Sequence, residues 1–169
     1  MVHPSKLPNV PPNPRVLYGA IATSEVLVKA KESEACGAHS KREYFAHPDR
    51  YEGVFHDRIA PYTSMPVNGM YWDDRFPRLM SKKQLEEMYD AGDRKLLGIA
   101  DITCDIRGSI EWTEYATEIE KPFALYDIQQ GRMRDGLHGD EVMMMTMDQL
   151  PSELAMELSQ HFGEKLVRS

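Results

Sequence analysis

The sequence predicts an α/β fold, in which a mainly parallel β-sheet is covered by helices on both faces. Runs of consecutive apolar residues alternate along the chain with segments whose apolar residues recur at helical spacing,. The runs are apolar throughout rather than at every second residue, which is typical of parallel strands buried on both faces. These two observations favour strands and helices in alternation over an all-α or all-β fold.

Apolar runs of four to eight residues predict the strands of this sheet,. The four strongest runs are residues 15–22, 65–72, 95–102 and 142–147. Residues 110–115 and 123–126 show the alternation of a hairpin-like β region,. Residues 4–14 contain five of the eleven prolines, which excludes a regular helix or a central strand there,. We interpret this proline-rich segment as a connector.

Helices are predicted where N-terminal capping signals precede helical spacing. A serine followed three residues later by Glu or Gln, the capping-box pattern, occurs at Ser40 and Ser81,. The first predicts one or two short helices between residues 40 and 58, and the second predicts a helix that ends at Gly92. A last helix is predicted to begin at Pro151,. Its apolar residues follow at four-residue steps: Leu154, Leu158, Phe162 and Leu166.

Composition excludes several classes of partner. The chain has 20 Lys and Arg against 27 Asp and Glu, a net charge of -7, and no basic run, so we expect no nucleic-acid partner,. No apolar stretch approaches the ~20 residues of a membrane span, so we expect no membrane partner. Cys36 and Cys104 are far apart and form no CxxC pair, which predicts free thiols and no metal site,. We expect a cytoplasmic location, or a mitochondrial one if a targeting segment precedes these residues.

The end of the strand at residues 95–102 is the first candidate site. Ligands of open α/β sheets bind beyond the carboxyl ends of strands, and residues 101–105 place two carboxylates and a threonine there,. Such a cluster can hold a ribose, a nicotinamide amide or a substrate amine. The alternative is that Asp101 and Asp105 cap loop amides.

The second candidate site is at residues 147–152, where a predicted strand runs directly into a helix N-terminus. Free amides and the helix dipole favour polar or anionic ligand groups at such a position. The alternative is that Asp148 and Ser152 serve only as helix caps. The eleven glycines form neither GxGxxG nor GxxxxGK[ST], so the loop that binds a pyrophosphate is not in this chain,.

Six short motifs occur in a fixed order along the chain: HPDRY at 47–51, IAPYTS at 59–64, VNGMYW at 67–72, DITCD at 101–105, GSIE at 108–111 and SQHFG at 159–163. Together they resemble the lysine-ketoglutarate reductase region of bifunctional aminoadipic semialdehyde synthase, and the plant forms look closest. The likeness extends from about residue 2 to 166. More distantly, the chain is similar to alanine dehydrogenase, the transhydrogenase nucleotide domain and fungal saccharopine dehydrogenase.

This resemblance implies an oxidoreductase that condenses lysine with 2-oxoglutarate and reduces the imine with NADPH or NADH to saccharopine. The chain would be a single domain, residues 1–169, that forms the later part of a partial Rossmann-like NAD(P)-binding domain. It would lack the first glycine-rich βαβ unit and the catalytic N-terminal domain with its acid/base Lys and His. The family position that usually holds a ribose-binding acid corresponds to His3, so the choice between NADP and NAD stays open.

The resemblance also implies roles for single residues. Thr103, Cys104 and Asp105 match the loop nearest the nicotinamide and bind substrate. A second set lines the cofactor. That set comprises Tyr71, Ile102, Met147, Asp148, Gln149 and Leu150. No catalytic acid or base and no metal ligand is expected in this chain.

Two hypotheses of different classes remain at this point. The first is a fragment or truncated product of the reductase, which needs the missing N-terminal catalytic half. The second is a noncatalytic module that binds a nucleotide or another subunit. In the Rossmann strand order 3-2-1-4-5-6, the four runs correspond to strands three to six, and strands one and two are missing. We therefore expect residues 15–22 to pair with residues 65–72 or to exchange with a second chain through self-association.

Overall fold

The computed structural model describes residues 1–32, 40–148 and 154–167. Five α-helices lie in these ranges: α1 (Ser24–Leu27), α2 (Lys41–Ala46), α3 (Phe55–Arg58), α4 (Lys82–Asp90) and α5 (Ala155–Val167). The strands are β1 (Val28–Ala30), β2 (Tyr51–Gly53), β3 (Val67–Asn68), β4 (Gly98–Asp101), β5 (Ala124–Asp127), β6 (Arg132–Asp135) and β7 (Val142–Met145). Short 3₁₀ helices occur at Pro4–Asn9, Pro48–Arg50 and Ala60–Tyr62. The α/β class is confirmed.

The strands form two sheets. β1 and β2 make a small antiparallel pair, and the other five strands form a sheet in the order β3-β4-β7-β5-β6. β3 and β7 both run parallel to the central strand β4, with Val67 opposite Ala100 and Ile99 opposite Met144. β5 pairs antiparallel with both β7 and β6.

The expectation of a mainly parallel sheet is therefore wrong, because the sheet is mixed. Only four residues separate Asp127, the end of β5, from Arg132, the start of β6. A parallel connection needs a dozen or more residues, so this short connection enforces an antiparallel hairpin. Gly131, with φ of +66°, takes the left-handed turn that the hairpin requires,. The sequence patterns did not identify β6, because its four residues, Arg-Met-Arg-Asp, contain no apolar run.

Residues 15–22 do not form the predicted strand. The segment is irregular and pairs with no strand among the described residues, so the expected direct pairing with residues 65–72 is wrong. Leu17 and Ile21 are exposed by 102% and 70%. An apolar run becomes a strand only when a neighbouring strand satisfies its backbone, and no described strand pairs with this segment,. Exchange with a second chain stays a prediction.

The other runs contain strands, but shorter ones. In residues 65–72 only Val67–Asn68 is a strand, while residues 95–102 and 142–147 contain β4 and β7. Residues 123–126 match β5 closely. Residues 110–115 contain no strand, because Ile110 makes only an isolated bridge to Met80.

The predicted helix starts agree with the capping signals. Ser81 forms a complete capping box with Gln84, in which each side chain accepts the other's backbone N–H at 3.2 and 2.8 Å. Ser40 accepts the N–H of Glu43 at 3.4 Å and starts α2. Gly92 follows the end of α4 with φ of +82°, which a side chain would strain. The predicted start of α5 at Pro151 lies outside the described residues.

The core lies on one face of the large sheet. Ile99 of β4 and Met144 of β7 are 1% and 0% exposed, and they meet Trp112, whose indole N–H points to the Met144 sulfur at 3.1 Å. Leu85 of α4 is also fully buried in this core. The opposite face is less covered, since Met143 and Met145 are half-buried.

The second face does not receive the predicted covering helix among the described residues. No side chain of α5 is buried, although its apolar residues form one stripe. Within the same ranges, no helix combines the length and the apolar character needed to cross a membrane.

Candidate functional site at the strand ends

Three parallel strands bring their carboxyl ends to one edge of the sheet. β3 ends at Asn68, β4 ends at Asp101, and β7 leads into Thr146 and Met147. The backbone continues the pairing past β4, because the Ile102 N–H donates to the Asn68 carbonyl at 2.8 Å. This edge is where open α/β sheets bind ligands.

A cluster of buried, hydrogen-bonded polar side chains lies at this edge of the sheet. The Asn68 amide Nδ2 donates to Asp101 Oδ1 at 2.8 Å and to Ser109 Oγ at 2.8 Å. The Thr113 hydroxyl donates to the other carboxylate oxygen of Asp101 at 2.8 Å. Thr103 adds a third hydroxyl, which donates to Asp101 Oδ1 at 2.9 Å. Both oxygens of Asp101 therefore have side-chain donors.

This cluster is almost fully buried, and it anchors the loop that follows β4. Asn68, Asp101, Ser109 and Thr113 are exposed by only 4, 1, 1 and 0%. A buried carboxylate is tolerated when charge-assisted hydrogen bonds satisfy it. Asp101 thus acts through side-chain donors rather than as a cap of loop amides, and it holds the start of the loop at residues 102–109 in place.

The loop after β4 has an unusual backbone. Cys104 and Arg107 have φ of 49° and 53°, in the left-handed region that residues with side chains rarely adopt,. A Cβ on Gly108 would lie 2.4 Å from the Cβ of Asp105, so the turn accepts only glycine there,. The Cys104 Sγ lies 2.9 Å from the carbonyl oxygen of Thr146 and links this loop to the end of β7.

The surroundings of Cys104 are acidic. Partial burial raises the pKa of its thiol to about 11, and the negative charges of Asp101, Asp148 and Asp105 add to this effect. All three carboxylates therefore act on the Cys104 thiol, although they lie at the ends of two different strands. A thiol of this kind is protonated near neutral pH and is a poor nucleophile. The surroundings of the Cys104 sulfur are therefore electronegative.

The structure places six of the predicted residues at or beside this edge. Ile102, Thr103 and Cys104 are half-buried, and Asp105 is exposed, all in the loop after β4. At the end of β7, Met147 is 4% exposed and Asp148 is exposed. Gln149 and Leu150 lie outside the described residues.

Tyr71 is the exception. It follows β3 but is 73% exposed, and its hydroxyl lies 3.1 Å from Asp73. It lines a separate groove with the N-terminal segment, whose lining does not include the loop after β4. The described contacts do not bring Tyr71 to the Cys104 neighbourhood.

Sequence reasoning missed Asn68, Ser109 and Thr113 as members of the site. A signal existed for Asn68, because an amide within an apolar run needs a buried partner. The partners of Ser109 and Thr113 depend on the loop turning back, which spacing does not reveal. Glu111 has a structural role, since its carboxylate accepts the Lys82 N–H at 2.8 Å at the start of α4. Among the described residues, no group of three or more His, Cys, Asp or Glu side chains could hold a metal.

The chain is similar to parts of longer proteins. It is 47% identical over 150 residues, 89% of this chain, to alpha-aminoadipic semialdehyde synthase of Arabidopsis thaliana. It is 32% identical to the mitochondrial alpha-aminoadipic semialdehyde synthase of Bos taurus over 98% of this chain, and 31% identical to that of Mus musculus over 90%. It spans 14% of the length of the plant protein and 19% of the bovine one. No protein-family model matches the chain.

Proposed function

Because this chain is homologous to part of the alpha-aminoadipic semialdehyde synthases, we propose that it forms the nucleotide-binding part of such an enzyme. The proposed reaction condenses L-lysine with 2-oxoglutarate and reduces the imine with NADPH or NADH, giving saccharopine. Lysine, 2-oxoglutarate and saccharopine are then its small-molecule ligands. The proposed setting is the cytoplasm, or the mitochondrion, the organelle in the names of the bovine and mouse relatives.

The observation that carries this proposal is the convergence of two chain segments at one sheet edge. The loop after β4 and the end of β7 are joined there by the contact of Cys104 with Thr146. Ligand sites of open α/β sheets are built from such neighbouring strand ends. In the proposal, Ile102, Met147 and Asp148 line the cofactor, together with Gln149 and Leu150, whereas Tyr71 lies beside the separate groove.

The charge of the site supports a nicotinamide rather than a pyrophosphate. Asp101, Asp105 and Asp148 create a negative potential at Cys104. A negative potential stabilises a cation, such as an oxidised nicotinamide ring or the ammonium group of lysine, and repels a phosphate. The glycine-rich loop that would bind the pyrophosphate is absent from the sequence,. The cofactor supplies the hydride, and its phosphates would be held by another part of the enzyme.

The substrate-binding roles fall to Thr103, Cys104 and Asp105. Asp105 is exposed at the rim of the loop, and its main-chain carbonyl, rather than its carboxylate, accepts the Gly108 N–H at 2.8 Å. Its carboxylate can therefore receive an ammonium group. Asp101 is a positioning residue in this scheme, because its oxygens are already used by Asn68, Thr103 and Thr113.

The test uses a chimaeric enzyme, made by replacing the matched segment of the Arabidopsis protein with this chain. NADPH and NADH are titrated by nicotinamide fluorescence into the chimaeric enzyme and into its Asp148→Ala and Asp140→Ala variants. Asp140 is an exposed acid outside the site and is the matched control. We expect Asp148→Ala alone to change the dissociation constant. Equal binding by both variants and the parent would contradict the proposed place of Asp148.

The isolated chain gives a second test. In the proposal, the groups that hold and protonate the imine lie in another part of the enzyme, so we predict no lysine-dependent oxidation of NADPH by the purified chain. The chimaeric enzyme, assayed under the same conditions, is the positive control. Robust turnover by the isolated chain would contradict the proposal that another part of the enzyme binds and protonates the imine.

A further inference from the structure

The loop after β4 is held at its far end by the segment that precedes α4. Arg78 of this segment donates two hydrogen bonds from its guanidinium Nη1, to the main-chain carbonyls of Arg107 and Gly108. Two residues later, the Met80 N–H donates to the Ser109 carbonyl at 3.1 Å. Three consecutive carbonyls of the loop are therefore bound by one neighbouring segment.

The loop needs such outside donors because of its unusual backbone. Arg107 has φ of 53°, a conformation that persists only where the surroundings hold it,. Its N–H donates to the Thr113 carbonyl at 2.8 Å, and the Gly108 N–H donates to the Asp105 carbonyl at 2.8 Å. The carbonyl of the buried Gly108 still requires a donor,. Arg78 supplies it with a positive charge, which strengthens the hydrogen bond,.

Arg78 is itself held in one position. Its guanidinium lies over the Trp72 ring, with Cζ 4.8 Å from the ring centroid,. The Trp72 indole N–H is fixed in turn by the carbonyls of Phe76 and Pro77, at 3.1 and 3.2 Å. A Cβ on Gly53 would lie only 2.6 Å from the Arg78 carbonyl oxygen, so β2 packs directly against the Arg78 backbone. A side chain fixed by packing in this way can hold its acceptors at a defined place.

Gly108 transmits the contact with Arg78 to Asp105. A Cβ on Gly108 would lie 2.4 Å from the Asp105 Cβ, and the hydrogen bond from the Gly108 N–H to the Asp105 carbonyl closes the turn between them. The two residues therefore share one tight turn. A displacement of Gly108 displaces Asp105 as well.

We propose that Arg78 is a positioning residue of the candidate site. It holds the carbonyls of Arg107 and Gly108 so that the loop presents the exposed Asp105 carboxylate to the substrate. This role rests on the proposed function, in which Asp105 binds the ammonium group of lysine. In this scheme Arg78 touches neither substrate nor cofactor.

Arg75 offers a matched control for Arg78. It lies three residues earlier in the same segment, and its guanidinium also lies beside an aromatic ring, at 5.6 Å from the centroid of Phe76. Its ion pair is with Asp73 at 2.7 Å, and its side chain is 69% exposed. Removing the Arg75 guanidinium therefore tests the loss of an arginine that has a different partner.

The first arm of the experiment measures amide hydrogen exchange at Arg107 and Gly108 in the isolated chain. We expect Arg78→Met to speed this exchange by roughly tenfold or more, because the loop opens more often without its outside donor. Arg78→Lys keeps a charged donor and should retain most of the protection, and Arg75→Met should match the parent. The Ala100 amide, which is bonded within the sheet, reports on the whole fold and should be unchanged.

Two results of this arm overturn the proposal. Unchanged exchange at Arg107 and Gly108 in Arg78→Met would show that the guanidinium does not hold the loop. Equal acceleration at Ala100 would show that Arg78 supports the whole fold rather than the loop.

The second arm measures the kinetics of the chimaeric enzyme. We expect Arg78→Met to lower kcat/KM for lysine by about tenfold or more, because the loop no longer holds Asp105 in place. In an Asp105→Ala background the same change should cost less than about twofold further, because Arg78 acts through Asp105. Arg75→Met should behave as the parent. Effects of Arg78→Met and Asp105→Ala that multiply would give Arg78 a separate role and overturn the proposal.

Failure of the proposed function is distinguishable from failure of this inference. A parent chimaeric enzyme that forms no saccharopine would remove the proposed function. Exchange in the isolated chain would still decide whether Arg78 holds the loop.

Discussion

The centre of the large sheet and the two ends of the chain contain similar apolar residues but use them differently. Ile99 and Trp112 in the centre are 1% and 0% exposed, whereas Leu17 near the N-terminus and Phe162 in α5 are 102% and 66% exposed. The centre is packed by elements of this chain alone. Several apolar residues at the ends stay exposed in the described chain, and large exposed apolar surfaces often mark interaction sites,.

The first prediction tests this contrast in stability. Trp112→Ala removes a fully buried indole from the core and should lower the free energy of unfolding by about 3–5 kcal/mol,. Phe162→Ala in α5 should change it by less than about 0.5 kcal/mol, as expected for an exposed site. Urea unfolding of the isolated chain measures both. A large loss for Phe162→Ala would mean that α5 is packed in solution.

The second prediction concerns the buried polar cluster. Asp101→Ala removes the acceptor of the Thr113 hydroxyl and one of the acceptors of the Asn68 amide, and we expect a loss of about 3 kcal/mol,. Asp105→Ala in the exposed rim of the same loop is the control and should leave stability nearly unchanged. Equal urea midpoints for the two variants would contradict the structural role of Asp101.

The third prediction concerns the reactivity of Cys104 in a Cys36→Ser background. Its pKa is raised from 9.0 to about 11, so the folded chain at pH 8 should contain ~100-fold less thiolate than the unfolded chain,. Iodoacetamide should react correspondingly more slowly with native protein than with protein in guanidinium chloride. Similar rates in both states would show that the thiol is not held beside the three carboxylates.

The raised pKa of the Cys104 thiol also predicts how the free energy of unfolding changes with pH. The folded state favours the protonated thiol, so its contribution is fully present below about pH 9. The contribution is lost as the pH rises toward about 11, because the unfolded chain releases its proton first,. Cys104→Ser should flatten this part of the stability profile.

The smallest predicted effect is on catalysis by the chimaeric enzyme. If Asp105 contacts the substrate, Asp105→Ala should lower kcat/KM by about tenfold or more, equivalent to about 1.4 kcal/mol, with little change in the melting temperature. Asp140→Ala is the control and should behave as the parent. A lowered melting temperature with normal kinetics would assign Asp105 to the structure of the loop instead.

Sequence reasoning found the elements whose signals are local. The Ser81 capping box, the end of α4 at Gly92 and the strand within residues 95–102 depend on neighbouring residues alone. Residues 15–22 have an equally clear apolar run, yet they remain irregular because a strand also needs a partner,. The direction of β5 and β6 followed from a connection length rather than from apolar periodicity.

The candidate site was predictable to a similar degree. Position at strand ends identified the loop after β4 and the end of β7, because both follow apolar runs directly. Spacing could not assign Asp101 to a buried hydrogen-bond cluster, since its partners Asn68 and Thr113 lie 33 and 12 positions away in the chain. Tyr71 was grouped with the site by its place after a predicted strand and by resemblance, but its exposed side chain lines the separate groove.

The most direct test of the nucleotide site is hydrogen exchange of the chimaeric enzyme with and without NADPH. The proposed site predicts that NADPH slows exchange at residues 102–105 and 147–150. It also predicts no NADPH-dependent change in residues 15–22 or in α5, because neither segment belongs to the proposed site. Protection by bound NADPH at the chain ends or elsewhere, with residues 102–105 and 147–150 unchanged, would contradict the site.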